Sequence, residues 1–231
     1  MDLLYRKDFY VFDQERPVPV SIRNYRETDF PRLIQIQHES FPPPFPPELL
    51  WNVEQLNQHI TLFPEGALCI EVQGEVVGSM TGLLVDMNPH HTDDTWAEIT
   101  DNGYIRNHDP NGRTLYVVDV SIRPSCRKLG LGKWLMLSMY EVVIQRGLDR
   151  LLGGGRMPGY HKKANEMTAE QYLEAVILGE LKDPVITFLL RCGRTPVKVI
   201  ANYLDDEESC HYAALMEWKN PFTPNKHKQG E

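Results

Sequence analysis

The chain has no run of eighteen consecutive apolar residues, the length a membrane-spanning helix needs. Its opening residues, MDLLYRKDFYVFDQERP, lack the apolar stretch of an export signal. Neither membrane spanning nor export is therefore expected, and the cytoplasm is the expected compartment. CxxC pairs are absent as well: Cys69, Cys126, Cys192 and Cys210 stand far apart, which argues for reduced thiols rather than a disulfide framework. Positive charge is in short supply. The 24 Lys and Arg against 32 Asp and Glu leave a net charge of -8, which disfavours nucleic acid or an anionic membrane as partner. There is no internal repeat. What the chain does have, 42% hydrophobic residues over 231 positions, is enough for one substantial core.

Residues 1–17 read as an N-terminal arm, residues 18–220 as one domain, and residues 221–231, PFTPNKHKQGE, as a flexible tail. The domain opens with a strand, PVSIRNY, then a helix whose apolar face is Phe30, Leu33, Ile34, Ile36 and Phe41. FPPPFPP follows, too rich in proline for regular hydrogen bonding, so it forms a stiff extended loop of the kind that rims sites, ahead of a helical stretch PELLWNVEQLNQHI. Two strands then meet at Gln73-Gly74-Glu75 as a hairpin. TLYVVDVSIRP reads as a buried strand, the residues from Leu131 to Val143 as a helix ended by Gly147, and DRLLGGGRM as a short strand. A helix beginning at Asp183-Pro184 and ended by Gly193 precedes two last strands, TPVKVIANYL and CHYAALMEW. Two polar segments, about 88–113 and 157–181, carry too many aromatic and apolar residues to be free loops and are expected to be ordered insertions; Thr168 and Gln171 form a capping-box pattern in the second.

One stretch stands out, VSIRPSCRKLGLGKWLM, from Val120 to Met136. A strand passing through a glycine-bearing turn into a helix gathers unpaired N-H groups where the helix dipole is positive, and such a point binds an anion. Gly130 and Gly132 let a phosphate approach the backbone, while Arg123, Arg127, Lys128 and Lys133 add charge. The triphosphate loop is excluded because Trp134 follows Gly132-Lys133 where Ser or Thr is required. The dinucleotide fingerprint fails at Leu135, which takes the place of the third glycine.

The pattern (Arg or Gln)-x-x-Gly-x-(Gly or Ala), here Arg127 to Gly132, together with the order of elements from Val18 to Trp218, resembles the GNAT acyltransferases. The chain is more closely similar to a bacterial GNAT subgroup often fused to a carbon-nitrogen hydrolase domain, through FPEG, TWAEITDNGYIRNHDPNG, MPGYHKKANEMTAEQYLEAVILGELKDPV and NYLDDEES. No hydrolase domain precedes Glu231, so no amide-hydrolysing activity is expected of these residues. The resemblance implies an α/β (α+β) fold: a mixed, mostly antiparallel central sheet splayed in the middle, with helices on both faces. It also implies acetyl-coenzyme A as co-substrate, with Val120, Ser121 and Ile122 holding the pantetheine arm through their backbone and Arg127, Lys128, Leu129, Gly130, Leu131, Gly132 and Lys133 around the diphosphate. The implied activity is transfer of an acetyl group to an amine, from a small molecule or a protein, by direct attack in a ternary complex. A non-catalytic acyl-coenzyme A sensor or interaction module is the alternative. The splayed sheet and its exposed edges also suit a homodimer.

An attacking amine must lose a proton, so a base is sought. Asp119 is an acid inside an apolar strand next to the expected splay, where burial raises a carboxyl pKa. Strict alternation sets it on the face away from Val118 and Val120; a β-bulge reverses that parity. The resemblance also implies a tyrosine acid four residues before the glycine ending the last helix, but Leu189 stands there, and Tyr203 is the substitute named from the sequence. Trp96, Tyr104, His108 and His161, with Tyr160, are candidates to line the acceptor side. A backbone N-H near Val120 is the expected oxyanion donor. The pair His90-His91 matches no chelating spacing, so no metal site is expected, and Cys126 lacks an adjacent base for a nucleophilic role.

Overall fold

The computed structural model describes residues 5–90 and 93–223. Eight strands form one sheet in the order β1-β2-β3-β4-β5-β6-β8-β7. They are β1 (Arg6–Asp13), β2 (Arg16–Asn24), β3 (Ala67–Val72), β4 (Glu75–Val85), β5 (Thr114–Ile122), β6 (Arg150–Arg156), β7 (Thr195–Ile200) and β8 (Ala213–Lys219). All neighbouring pairs are antiparallel except β5 with β6. The helices are α1 (Phe30–Ser40), α2 (Val53–Leu62), α3 (Trp96–Thr100), α4 (Leu131–Gln145), α5 (Ala169–Ile177) and α6 (Ile186–Arg191). No described helix is long and apolar enough to cross a membrane.

The segment read as an arm, residues 1–17, instead supplies edge strand β1, paired along its whole length with β2. Both faces of β1 carry aromatic residues, which hides the inward alternation: Val11 is buried and Phe9 packs on Trp134 at 4.5 Å between ring centroids, while Tyr10 and Phe12 face out. The helical stretch after the prolines also starts later than its periodicity suggests. Asn52 caps α2 in a reciprocal box with Gln55, and Leu50 and Trp51 before it fold inward. The last read strand, TPVKVIANYL, ends at Ile200, because Asn202 turns the chain through a positive φ and leaves Tyr203 in the connection. The tail reading lies, from residue 224 on, outside the described residues, as does His91.

Other expectations hold in detail. Gln73 and Gly74 both take positive φ and close the β3–β4 hairpin. Thr168 and Gln171 cap α5. The first insertion is ordered around α3, and its Trp96 amide donates to the Tyr203 carbonyl, tying it to the far end of the sheet.

What positions the site is the place where the sheet opens. β5 and β6 pair only from Thr114–Arg150 to Tyr116–Leu152, after which β6 continues alongside β8 and β5 alongside β4. The gap leaves one edge of β5 beyond Tyr116 without a strand partner. Three successive glycines, Gly153 to Gly155, form the facing wall, and space explains them. A methyl group on Gly154 would lie 2.2 Å from Tyr203 Cζ on one face, and one on Gly155 would lie 2.6 Å from Leu189 Cδ1 on the other. Gly154→Ala is therefore expected to displace the Tyr203 ring and destabilise the fold by about 1–3 kcal/mol, as overpacking of a filled core does. Urea unfolding of the variant against wild type measures this.

Candidate active site

The opening between β5 and β6 is the mouth of a cleft of about 990 Å³, lined on one side by Val117 to Ile122 and on the other by Gly153 to Arg156. Its walls join two chemically different ends. At one end lie Arg127, Gly130, Gly132 and Lys133; toward the other lie Trp96, bonded to the Val118 carbonyl, and Trp51, and Phe41 and Phe45 of the proline loop and His161 complete the lining.

At the first end, residues Pro124–Leu129 wind into a 3-10 turn, and Gly130 takes a left-handed conformation (φ 70°) that starts α4. A methyl group at Gly130 would meet nothing within 4 Å, so the glycine answers to backbone conformation and leaves open space in front of it. The Leu131 and Gly132 amides that open α4 have no acceptor within the helix, as helix starts leave them, while the Lys133 amide donates to the Gly130 carbonyl (3.1 Å). Arg127 does not reach out as a free charge: its Nε donates to the Ile122 carbonyl (3.2 Å) and its guanidinium to the Ser40 carbonyl (3.3 Å), bracing the turn against β5 and α1. The Leu131 side chain is buried in the core, and Lys128 and Leu129 do not line the cleft, so any contribution from these three is through backbone.

Midway, β5 carries a bulge. Asp119 pairs with Thr81 and Val117 with Gly82, leaving Val118 as the extra residue. The Val118 carbonyl, denied a strand partner, accepts a hydrogen bond from Trp96 Nε1 at 3.0 Å. The bulge reverses the parity of strict alternation and turns Asp119 into the cleft, where Gln37 Nε2 of α1 donates to its Oδ2 at 2.7 Å. Burial raises the Asp119 pKa to about 7, against the opposing effects of Gln37, Ser121, the Val120 amide and the more distant Arg156. Ser121 Oγ accepts from Gln37 Nε2 (3.3 Å), which holds the amide in place.

The remaining sequence candidates divide. Tyr203 lines the cleft, but its hydroxyl is bonded to the Tyr116 hydroxyl (2.5 Å) and burial pushes its pKa up to about 12. It also lies across β6 from Leu189, so it does not stand in for a tyrosine at that position. Trp96 lines the cleft as the anchor of the bulge. His161 is at the rim, its Nδ1 between the Pro158 and Glu208 carbonyls. Two candidates lie elsewhere. Tyr104 sits beneath Arg106, and His108 is stacked on Phe63 with Nδ1 accepting from the Leu84 amide, the desolvation lowering its pKa. Each satisfies local structure instead of the cleft. Cys126 does not line it either. Among the described residues no grouping of three or more His, Cys, Asp or Glu is disposed to hold a metal ion.

Sequence reasoning missed Gln37, Arg156 and Arg194. Arg156 is held by Asp206 through two bonds of 2.7 Å and lies over the Phe45 ring at 4.9 Å, so the proline loop is packed onto β6 by a paired cation. Of the three only Arg156 had a signal, the GGGR run it ends, whose glycines mark close approach of other groups.

This architecture, an antiparallel sheet opened in the middle beside a glycine turn at a helix start, is that of the GNAT-type acetyltransferases. The chain belongs to the acetyltransferase (GNAT) family, whose model matches residues 30–161. It is 56% identical over 220 residues to the uncharacterized N-acetyltransferase YkwB of Bacillus subtilis, covering 95% of this chain and 97% of that protein. It is 39% identical over 210 residues to the probable hydrolase YhcX of the same organism; there the match covers 90% of this chain but 40% of the relative. Among solved structures it is similar to the GphF GNAT-like decarboxylase in complex with isobutyryl-CoA (TM-score 0.71, 19% identity, 86% of this chain and 98% of that one). It is likewise similar to the loading GNATL domain of CurA from Lyngbya majuscula (TM-score 0.72, 19% identity, 87% and 98%).

Asp119 makes stability depend on pH. The folded protein keeps this carboxyl protonated up to about pH 7, whereas an unfolded aspartate ionises at about 3.9, so between those values the folded state binds the extra proton. Its contribution to stability is present below about pH 4 and is lost as pH rises to about 7. Asp119→Asn is expected to remove that loss, so that in urea unfolding the variant gains on wild type between pH 5 and pH 8.

Proposed function

We propose that the chain transfers an acetyl group from acetyl-coenzyme A to a primary amine by direct attack, with Asp119 as general base. The observation that carries this reading is the bulge that turns a carboxyl of pKa about 7 into the cleft, on the open edge of β5 that leads to the Gly130 turn. The first amides of α4, with Gly130, Gly132 and Lys133, hold the diphosphate of the donor. The open edge of β5 from Val120 to Ile122, apart from the Ile122 carbonyl already taken by Arg127 and Ser40, offers hydrogen bonds to the amides of the pantetheine arm. The acceptor enters from the side of Phe41, Phe45, Trp51 and Trp96, whose apolar surfaces exclude water from the reacting carbonyl.

The base has defined work to do. An alkylamine with a pKa of about 10.4 is almost wholly ammonium at neutral pH; it gives its first proton to solvent to free the lone pair, and an ionised Asp119 accepts the second as the nitrogen bonds to the carbonyl carbon. Gln37 keeps the carboxyl pointed inward. The reduced thiols and the acidic surface suit a reaction in the cytoplasm. The second reading, a non-catalytic acyl-coenzyme A sensor, draws support from Leu189, an apolar side chain where the family has an acid.

Incubation with acetyl-coenzyme A and a panel of primary amines, followed by release of free thiol, separates the two. Turnover is expected with kcat/KM rising with pH through an apparent pKa of about 7, as Asp119 ionises. Asp119→Asn should lower it by about a hundredfold and abolish that limb. Thermal stabilisation by coenzyme A without turnover of any amine would favour the sensor.

A further inference from the structure

Arg194 is the one arginine in the buried class among the described residues, at 3% exposure. Other partly buried arginines have a carboxylate: Arg23 has Asp29 and Glu71, Arg123 has Glu39, Arg156 has Asp206. Arg194 has none. Its guanidinium donates to the carbonyls of Gly153 (3.2 Å) and Met216, and its Nε finds no hydrogen-bond partner. The side chains that act on it, Tyr140 of α4, Tyr116 of β5, Cys192 at the end of α6 and Tyr203, all have their pKa raised by burial and are neutral near pH 7, and among the described residues no carboxylate pairs with it. Burial lowers its pKa, but a guanidinium remains a cation. A buried cation without a counter-ion is costly, and here it lines the cleft at the point where β5 and β6 part.

Its position meets a second anomaly. Leu189, standing where the resemblance implies the acid that serves the leaving sulfur, packs against Gly155. Arg194 lies against Gly153, its nitrogen 3.3 Å from where a Cβ would be. Residues two apart on a strand share a face and are separated by about 6.6 Å, so the cation and the apolar replacement are neighbours on one side of β6. At that range in a poorly solvated cleft, a positive charge strongly favours a negative one.

We infer that Arg194 is the electrostatic partner of the coenzyme A sulfur, stabilising it as the departing thiolate in place of the family's acid. This rests on the reading of the cleft as the acyl-coenzyme A site. In the step, the amine nitrogen bonds to the thioester carbon and its proton passes to Asp119. The tetrahedral adduct then collapses, the C–S bond breaks, and the electron pair stays on sulfur beside the guanidinium. Arg194 donates no proton. Coenzyme A leaves as thiolate or takes a proton from water, and Asp119 returns its proton to solvent.

The test uses free coenzyme A as the probe and needs no acceptor. Thiolate absorbance of coenzyme A bound to the full chain is titrated against the same protein loaded with desulfo-coenzyme A, which cancels the protein's own cysteines. An ordinary thiol titrates at about 8.5, and the bound one is expected at least about one unit lower, a tenfold larger thiolate fraction. Arg194→Met should erase the shift while binding of desulfo-coenzyme A persists, and Arg194→Lys should keep part of it. A bound thiol in wild type that titrates at or above the ordinary value overturns the inference by itself, whether or not the methionine variant folds. Failure of both coenzyme A and desulfo-coenzyme A to bind removes the cleft reading and this inference with it.

Discussion

The parting of β5 from β6 after Tyr116 is the constraint on which the rest of the molecule depends. A sheet that opens exposes N-H and C=O groups that must find partners, and the chain supplies them selectively. The indole of Trp96 takes the Val118 carbonyl at the bulge, Arg127 takes the Ile122 carbonyl at the far end, and Arg194 takes the Gly153 carbonyl on the opposite wall. Each comes from a different element, so the opening is held from outside by side chains and the edge between them stays free for a ligand. The first insertion is thereby structural to the site and not an ornament on it.

Charge is distributed with the same economy. Arg23 and Arg156 are tied to carboxylates, as partly buried ions require. Within the cleft, Asp119 and Arg194 form no ion pair with each other or with any other side chain among the described residues: Asp119 is held by Gln37, Arg194 by two carbonyls. Had they met, the cation would have pulled the carboxyl well below neutrality and left it too weak a base, while the carboxyl would have cancelled the cation. Separation keeps both charges available to a reaction that creates an ammonium proton at one point and a negative sulfur at another.

Much of this was legible in the sequence because it depends on local rules. The hairpin at Gln73-Gly74, the capping box at Thr168, the glycine turn before α4 and the order of elements follow from spacing and backbone preference. Strand β1 was obscured because aromatic residues occupy both of its faces, so alternation in type does not report alternation in burial. Asp119 was found from its chemistry, yet its direction depends on an extra residue at Val118 that pairing with Gly82 alone reveals. Tyr104 and His108 were read as site residues for their types, but tertiary packing assigns them to Arg106 and Phe63. Gln37 and Arg194 carried no signal: one is a polar residue on an otherwise apolar helix face, the other a cation after a helix-ending glycine, and only the sheet's geometry brings them to the cleft.

Helix α1 touches both the base and the glycine turn within one helical turn. Gln37 holds the Asp119 carboxyl, and three residues on, Ser40 bonds the Ile122 carbonyl through its hydroxyl and receives Arg127 on its own carbonyl. Those anchor points are about 4.5 Å apart along the helix axis, a span that hydrogen bonding within the helix makes nearly inextensible. The helix thus works as a gauge that keeps cofactor handle and base in fixed register. Insertions between β4 and β5 or after β6 can grow and reshape the acceptor side without altering it, whereas one residue added inside this turn of α1 would swing Gln37 about 100° away from the carboxyl it holds.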